Sequence, residues 1–142
     1  MRITTPAALV TLAACLALPA CTTIPDEEPE TASCGYDSRY WQVTIDRMPG
    51  PGAQPMLHIT GEIDMPTPGY EVRLVAGPAD RMMPPGVHFR LESERPDGIV
   101  PQVIAPTKVE YREQTPYPEI RRIIIGCGDE TVATISPVPV VQ

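Results

Sequence analysis

The stretch "MLHITGEID", Met56–Asp64, carries the pattern that decides the fold of this 142-residue chain. Its aliphatic residues Leu57, Ile59 and Ile63 alternate with polar residues. A period of two residues is typical of a β-strand with one face in a core and the other in water. The same alternation recurs in "WQVTIDRM" (Trp41–Met48), "YEVRLVA" (Tyr70–Ala76) and "VHFRLES" (Val87–Ser93). The sequence therefore predicts several two-faced strands.

Proline limits what else the chain can form. The 19 prolines are scattered along the sequence, and each proline inside a helix would remove a hydrogen-bond donor and clash with the preceding turn. Weaker strand candidates follow at "VPQVIA" (Val100–Ala105), "KVEYREQ" (Lys108–Gln114), "IRRIIIGC" (Ile120–Cys127) and "TVATI" (Thr131–Ile135). About seven or eight short strands predict an all-β fold: a small antiparallel β-sandwich, immunoglobulin-like, with a small barrel as the alternative. The three isoleucines Ile123, Ile124 and Ile125 predict a central strand.

The charge of the chain argues against a nucleic-acid partner. Eleven lysines and arginines against 18 acidic residues give a formal net charge of −7. Binding to nucleic acid depends on clustered basic side chains that displace counterions from phosphates, and the sequence has no such cluster. We therefore expect no nucleic-acid partner.

The N-terminus has the features of an export signal. Residues 1–20 contain Arg2, then an apolar run too short to cross a bilayer, then small residues. The tetrapeptide "LPAC", Leu18–Cys21, resembles the lipobox of bacterial lipoproteins. That resemblance implies cleavage before Cys21, lipidation of Cys21 and attachment to a bacterial cell envelope. "LAAC", Leu12–Cys15, is an alternative site, and an ordinary secretory signal without lipid is a third possibility.

The residues after Cys21 predict where the protein is held. In lipoproteins, an aspartate directly after the lipidated cysteine resembles an inner-membrane retention signal, and this chain has Thr22 at that position. The resemblance therefore implies the outer membrane, with the protein facing the periplasm. Residues 21–33 comprise the lipidated cysteine and an acidic segment that lacks the apolar residues needed to offset ordering entropy, which predicts a solvated tether. Residues 34–142 are the predicted sandwich domain. The expected partners are the membrane, through the lipid anchor, and an envelope protein.

Two cysteines remain for the domain. Cys34 and Cys127 lie near its two ends, and an exported protein enters an oxidising compartment, so we predict a disulfide between them. Two free buried thiols are the alternative. A metal site is not expected, because no CxxC pair or nearby histidine completes a tetrahedral ligand set.

The sequence offers no clear catalytic set. Its two histidines, His58 and His88, both fall on the polar faces of predicted strands. With Met56, Met82 and Met83 they suggest copper binding, because thioether and imidazole ligands suit copper. Methionine, however, also fills gaps in apolar cores. No serine lies in a GxSxG motif. We predict that the protein is not an enzyme and carries no metal or other cofactor.

One loop invites a different function. "PTPGY", Pro66–Tyr70, resembles the "NPTTGY" loop of chagasin-type cysteine-protease inhibitors, small immunoglobulin-like proteins that block papain-like active sites with three loops. Met65 replaces the asparagine and Pro68 the second threonine. "ERPDG", Glu94–Gly98, carries the Arg-Pro of a further family loop but lacks its tryptophan. The resemblance implies a recognition loop that includes Pro66 and the four residues Thr67, Pro68, Gly69 and Tyr70.

The same residues also predict a structural corner. Thr67, Pro68 and Gly69 suit a type II turn, with proline at its second position and glycine at its third. Such a turn twists the wrong way for a tight hairpin, so we expect it to carry the chain from one sheet to the other.

Overall fold

The computed structural model describes residues 34–142, which form two packed β-sheets. Eight strands follow one another along these residues: β1 (Ser38–Asp46), β2 (Met56–Met65), β3 (Glu71–Ala79), β4 (Gly86–Glu94), β5 (Ala105–Gln114), β6 (Arg122–Cys127), β7 (Glu130–Ile135) and β8 (Val140–Val141). The described residues contain no helix of the length and apolarity that a membrane span requires. The prediction of a small all-β sandwich is confirmed.

Each sheet has four strands. The first sheet has the order β5-β2-β1-β8 and the second the order β3-β4-β6-β7. Most neighbours are antiparallel, but β1 and β8 run parallel, as do β4 and β6. In the immunoglobulin fold the third strand along the chain, strand C, lies beside strand F. Here the third strand, β3, is at the edge of its sheet, and β4 lies between it and β6. The size and the two layers match the immunoglobulin fold, but the strand order differs.

One strand candidate was wrong. Residues 100–104 belong to the loop between β4 and β5, and β5 begins only at Ala105. Pro101 has no amide hydrogen for a strand partner, and the amide of Val103 donates to the carbonyl of Pro101, 3.0 Å away, within the loop itself. The two prolines that do lie within strands, Pro78 and Pro106, are in the edge strands β3 and β5, where a missing donor is tolerated.

The core lies between the sheets and is built by the alternating residues. Ile45, Ile59, Ile63, Ile123 and Ile125 have no exposed surface. Burial of each such side chain stabilises the fold by about 1.5–3 kcal/mol. Strand β6 is central in its sheet, as predicted, and is inserted between β4 and β7. The inner faces also meet through an edge-to-face contact between the rings of Phe89 and Tyr111, with centroids 4.9 Å apart.

A bulge in β1 shapes the first sheet. The register between β1 and β2 shifts between Arg39 and Gln42, and Tyr40 within the bulge has a φ of 57°. Gly61 of β2 lies opposite the bulge, and the Trp41 ring occupies the space that a Cβ at Gly61 would need. The indole therefore fills the part of the core where the alternating pattern of β2 has no side chain.

The loops gather at two ends of the sandwich. We call one of them the entry end, because the described chain begins there. Cys34–Asp37 lies beside the end of β2, with the amide of Tyr36 donating to the carbonyl of Asp64 at 2.9 Å. The β2–β3 loop (66–70), the β4–β5 loop (95–104) and the β6–β7 turn share this end. The remaining loops lie at the opposite end, where the amide of Thr115 donates to the carbonyl of Pro55.

The predicted disulfide is present. Cys34 and Cys127 are bonded, with their Cα atoms 5.6 Å apart and 93 residues of sequence separation. The bond joins the segment before β1 to the last residue of β6, so it fastens the first sheet to the second at the entry end. A crosslink over a loop of this length stabilises a fold by about 4 to 5 kcal/mol in the chain-entropy account.

Replacing Gly61 tests the contact with Trp41. A Cβ at this position would overlap the indole and force the ring out of the core, so Gly61→Ala should lower the free energy of unfolding by about 1–3 kcal/mol. The matched control is Gly50→Ala, because a Cβ at Gly50 would meet only the Cβ of Ala53 at 3.8 Å. Urea unfolding of both variants measures the difference. Equal stability of the two would contradict the proposed packing.

Candidate binding face

The outer face of the first sheet presents polar side chains that have no partner within residues 34–142. They stand in two cross-strand rows. One row is Gln42, Thr60 and Glu110, and the next is Thr44, His58 and Arg112. Neither a side-chain hydrogen bond nor an ion pair joins these six side chains to any other described residue. Their amide, hydroxyl, carboxylate, imidazole and guanidinium groups are therefore available to a ligand.

Tyr40 adds an aromatic ring to this face. Its side chain is 73% exposed, and its backbone is in the left-handed region that residues other than glycine rarely adopt. A strained backbone of this kind persists only where surrounding structure holds it, and such positions cluster at functional sites. The fold thus accepts strain at a position where it displays an aromatic ring to solvent.

Arg39 holds Tyr40 in place. The guanidinium carbon lies 5.8 Å from the centre of the Tyr40 ring, within the range of a cation–π contact. Two nitrogens of Arg39 donate to the two carboxylate oxygens of Asp64 at 2.7 and 2.9 Å, and a third contact reaches Glu62 at 2.5 Å. The hydrogen bonds from Arg39 lower the pKa of Asp64, and those to Asp64 and Glu62 raise the pKa of Arg39.

Two adjoining shallow grooves follow the polar rows. The groove nearer Tyr40 has a volume of about 410 Å³ and also contacts Lys108 of β5. The other has a volume of about 340 Å³ and extends past His58 to Val141 of β8. Gln42 and Thr60 line both grooves. The face is therefore one continuous surface that crosses all four strands.

The outer face of the second sheet differs because three of its charged side chains bind one another. Glu92 accepts hydrogen bonds from Arg73 at 2.9 and 3.0 Å and from Arg90 at 2.6 and 3.1 Å. These bonds lower the pKa of Glu92. A larger cavity of about 590 Å³ lies here, beside Gly128. Of the charged side chains that line it, Arg73, Arg90 and Glu92 bind one another. Glu71 and Glu94, which also line it, lie opposite each other on β3 and β4.

A third charged cluster is structural. Asp80 begins the β3–β4 loop, and its Oδ1 accepts from the amides of Met82 and Gly86 at 3.1 and 2.9 Å. Its other carboxylate oxygen, Oδ2, accepts from Arg121 at 2.9 Å. The bond from the Gly86 amide, followed by that from Met82 and the charge of Arg121, lowers the pKa of Asp80. This carboxylate closes the loop and joins it to the segment before β6.

The structure does not bring the two histidines together. His58 lies on β2 in the first sheet and His88 on β4 in the second, each facing outward, so the sandwich separates them. Met82 and Met83 are exposed in the β3–β4 loop at the end opposite the entry end. Residues 34–142 contain no group of three or more histidine, cysteine or acidic side chains arranged to hold a metal ion.

The residues of the predicted recognition loop form a corner between the sheets. The loop joins β2 of the first sheet to β3 of the second, and Gly69 has a φ of 92°, as the third position of a type II turn requires. Thr67 is buried, Tyr70 packs against the core, and Pro68 is half-buried. Only Gly69 is exposed. A Cβ at Gly69 would lie 3.2 Å from Pro96, so this loop abuts the "ERPDG" segment.

Other expectations fall elsewhere. Cys15 and Cys21, the two candidate lipidation sites, lie outside the described residues. We call the outer face of the first sheet, with its two rows of unpaired polar side chains, the uncommitted face. The sequence did not predict this face or the role of Tyr40, because the face depends on strand order and the bulge depends on the register between strands.

Comparisons of the chain with protein-family models, with curated proteins and with solved structures found no match.

The charged loop closure predicts a pH dependence. Because the pKa of Asp80 is below its ordinary value of 3.8 in the folded protein, its carboxylate contributes stability above that value. The contribution is lost as the pH falls through the lower folded pKa. Asp80→Asn should therefore lower the melting temperature at pH 7 and reduce the fall in stability below about pH 4.

The control for this experiment is Asp129→Asn, which changes an exposed carboxylate in the β6–β7 turn. Thermal unfolding followed by circular dichroism across the acidic range gives the comparison. The assignment to Asp80 fails if the two variants show the same dependence of melting temperature on pH.

Proposed function

We propose that the protein is a non-enzymatic binding module, attached to a bacterial cell envelope by a lipid on Cys21. The anchor rests on the resemblance of Leu18–Cys21 to a lipobox. The acidic segment that follows would let the domain remain near the outer membrane, on its periplasmic side. An envelope protein is the partner that such a position makes available.

The observation that supports a binding role is the uncommitted outer face of the first sheet. On the second sheet Arg73 and Arg90 pair with Glu92. On the first sheet the side chains of Gln42, Thr44, His58 and Thr60 have no partner among the described residues. Tyrosine is enriched among the residues that dominate binding energies, and here Tyr40 stands at the edge of the polar rows. The fold thus combines an aromatic anchor with unpaired hydrogen-bonding groups.

The composition of the face suggests the chemistry of the partner. Basic residues (Lys108, Arg112) and acidic residues (Asp46, Glu110) are interspersed along it. Such a surface suits a partner with mixed polar groups, because a strongly charged partner would be repelled somewhere along the face. The neutral groups of Gln42 and Thr60 lie at its centre, where hydrogen bonds would be most shielded from water.

Site-specific photo-crosslinking tests this face. A photoreactive residue at Gln42 should give a defined adduct with an envelope protein in intact cells, and the same residue at Arg90 on the second sheet should not. Tyr40→Gly should weaken binding of the captured partner by about tenfold or more. Glycine adopts a positive φ without strain, so this variant removes the ring and keeps the bulge.

Two results would count against the binding face. Adducts of equal yield from both sheets would show that the contacts are not specific to the first sheet. Unchanged affinity of Tyr40→Gly for the captured partner would show that the ring is not an anchor.

Inhibition of a cysteine protease is the second candidate function. It is favoured by the contact between Gly69 and Pro96, which sets the "PTPGY" and "ERPDG" segments side by side at the entry end. Chagasin-type inhibitors, which the first segment resembles, insert neighbouring loops into a protease cleft. We call the adjoining "PTPGY" and "ERPDG" segments the ridge. Its exposed part would be Gly69 and the residues next to Pro96.

An enzyme assay decides this candidate. The protein at about 10 μM should inhibit papain, and Gly69→Asp should abolish the inhibition by placing a charge on the ridge. Gly52→Asp is the matched control, since Gly52 also has a positive φ, 77°, but lies in the loop between β1 and β2 at the opposite end. Absence of inhibition by the unmodified protein would exclude this function.

A further inference from the structure

The β4–β5 loop exposes aliphatic side chains of the kind that the strands bury in the core. Ile99 is fully exposed, and Val103 and Ile104 are each more than half exposed. Residues 99–104 carry no charge, and Gln102 is their only polar side chain. Exposed apolar clusters of this kind mark surfaces that contact another protein or a membrane.

The position of the β4–β5 loop favours a membrane over another protein as the surface that it contacts. Its last residue precedes Ala105, which pairs with Met65 at the end of β2. Gly35, the second described residue, packs against Ile63 and Met65. The base of the apolar loop and the point where the chain enters the domain are therefore neighbours. Whatever holds the chain upstream of Cys34 also holds this loop near it.

The proposed anchor supplies a bilayer at that point. Twelve residues separate Cys21 from Cys34, and a segment of this length reaches at most about 40 Å. A short flexible tether gives the attached group an effective concentration in the millimolar range. Even a weak apolar contact between the loop and the lipid would then be populated.

The net charge of the chain and an exposed aromatic residue at the entry end fit an apolar contact with lipid. The net charge of −7 would oppose attraction to anionic headgroups, so the contact must come from aliphatic side chains. Tyr36, 69% exposed, lies at the same end. Tyrosine is a residue that favours the boundary between headgroups and water.

We propose that the β4–β5 loop inserts Ile99, Val103 and Ile104 into the interfacial region of the membrane, with Tyr36 at the headgroup level. This proposal rests on the lipid anchor proposed above. It adds a second attachment that fixes how the domain stands on the membrane.

An environment-sensitive fluorophore tests the insertion. The full chain with Ile99→Cys is labelled with a nitrobenzoxadiazole dye and reconstituted in phosphatidylcholine vesicles. The emission should shift to shorter wavelength and be quenched by spin-labelled lipid. Met48→Cys is the matched control, because Met48 is 68% exposed in the loop between β1 and β2 at the opposite end. Its dye should remain in water.

A second variant measures the energetic role of the loop. Val103→Asp places a charge among the aliphatic side chains and should weaken vesicle binding of the unlipidated Cys21→Ser chain by about tenfold or more. Equal quenching at residues 99 and 48, or quenching at neither, overturns the proposal. Quenching at neither position is also the result expected if the loop binds a protein instead of lipid, and it overturns the proposal in that case too.

Labelling with a lipid precursor separates failure of the loop from failure of the anchor. Wild type and Cys15→Ser should incorporate the label, and Cys21→Ser should not. Incorporation without quenching at Ile99→Cys refutes the loop proposal alone. Absence of label from all three chains refutes the anchor, and with it the basis of the loop proposal.

Discussion

The mutual covering of two apolar sheet faces is the constraint from which the other features of this fold follow. Each strand has an aliphatic side and a polar side, and the aliphatic sides of the two sheets can leave water only against each other. Ile59 and Ile123 are fully buried for this reason. The chain must therefore cross between the sheets, which it does in the β2–β3 and β4–β5 loops at the entry end and in the β5–β6 and β7–β8 loops at the opposite end.

The same constraint assigns the polar sides their roles. On the second sheet, Arg73 and Arg90 both bind Glu92, so part of the polar side is paired within the sheet. On the first sheet, charge pairing is confined to one corner, where Arg39 binds Asp64 and Glu62. In that corner the guanidinium of Arg39 also lies over the ring of Tyr40. The rest of the face is left with hydrogen-bonding groups that have no partner in the described part of the chain.

Local features of the sequence predicted local features of the structure. Period-two alternation predicted the strands, Pro68 and Gly69 predicted a corner between sheets, and the two remaining cysteines predicted the disulfide. Each depends on neighbouring residues or on elimination. The strand predicted at Val100–Ala105 was wrong for the same reason. A run of apolar residues predicts a strand whether or not a neighbouring strand exists to pair with it.

Features that depend on distant residues could not be predicted from the sequence. The parallel pairing of β4 with β6 depends on the strand order of the whole sheet. The positive φ of Tyr40 has no local signature, since glycine or asparagine would be the expected residue there. From the sequence alone, Gly61 predicts an interruption of the apolar face of β2. In the structure, the Trp41 ring occupies the space beside Gly61 that a side chain would fill. The uncommitted face likewise emerges only from the register of three strands.

The two uses proposed for the entry end exclude each other, and the exposed side chains favour one of them. A domain that inserts the β4–β5 loop into lipid brings Pro96 and the adjoining Gly69 to the membrane surface, where no protease cleft could reach them. The exposed residues of the "PTPGY" and "ERPDG" segments are glycines or charged residues, whereas Ile99, which follows "ERPDG" in the sequence, is fully exposed to water. Such apolar surface is stabilised when it leaves water for lipid. If the entry end lies on the membrane as proposed, the strands of the first sheet extend away from it, and their polar face is left open to the proposed partner.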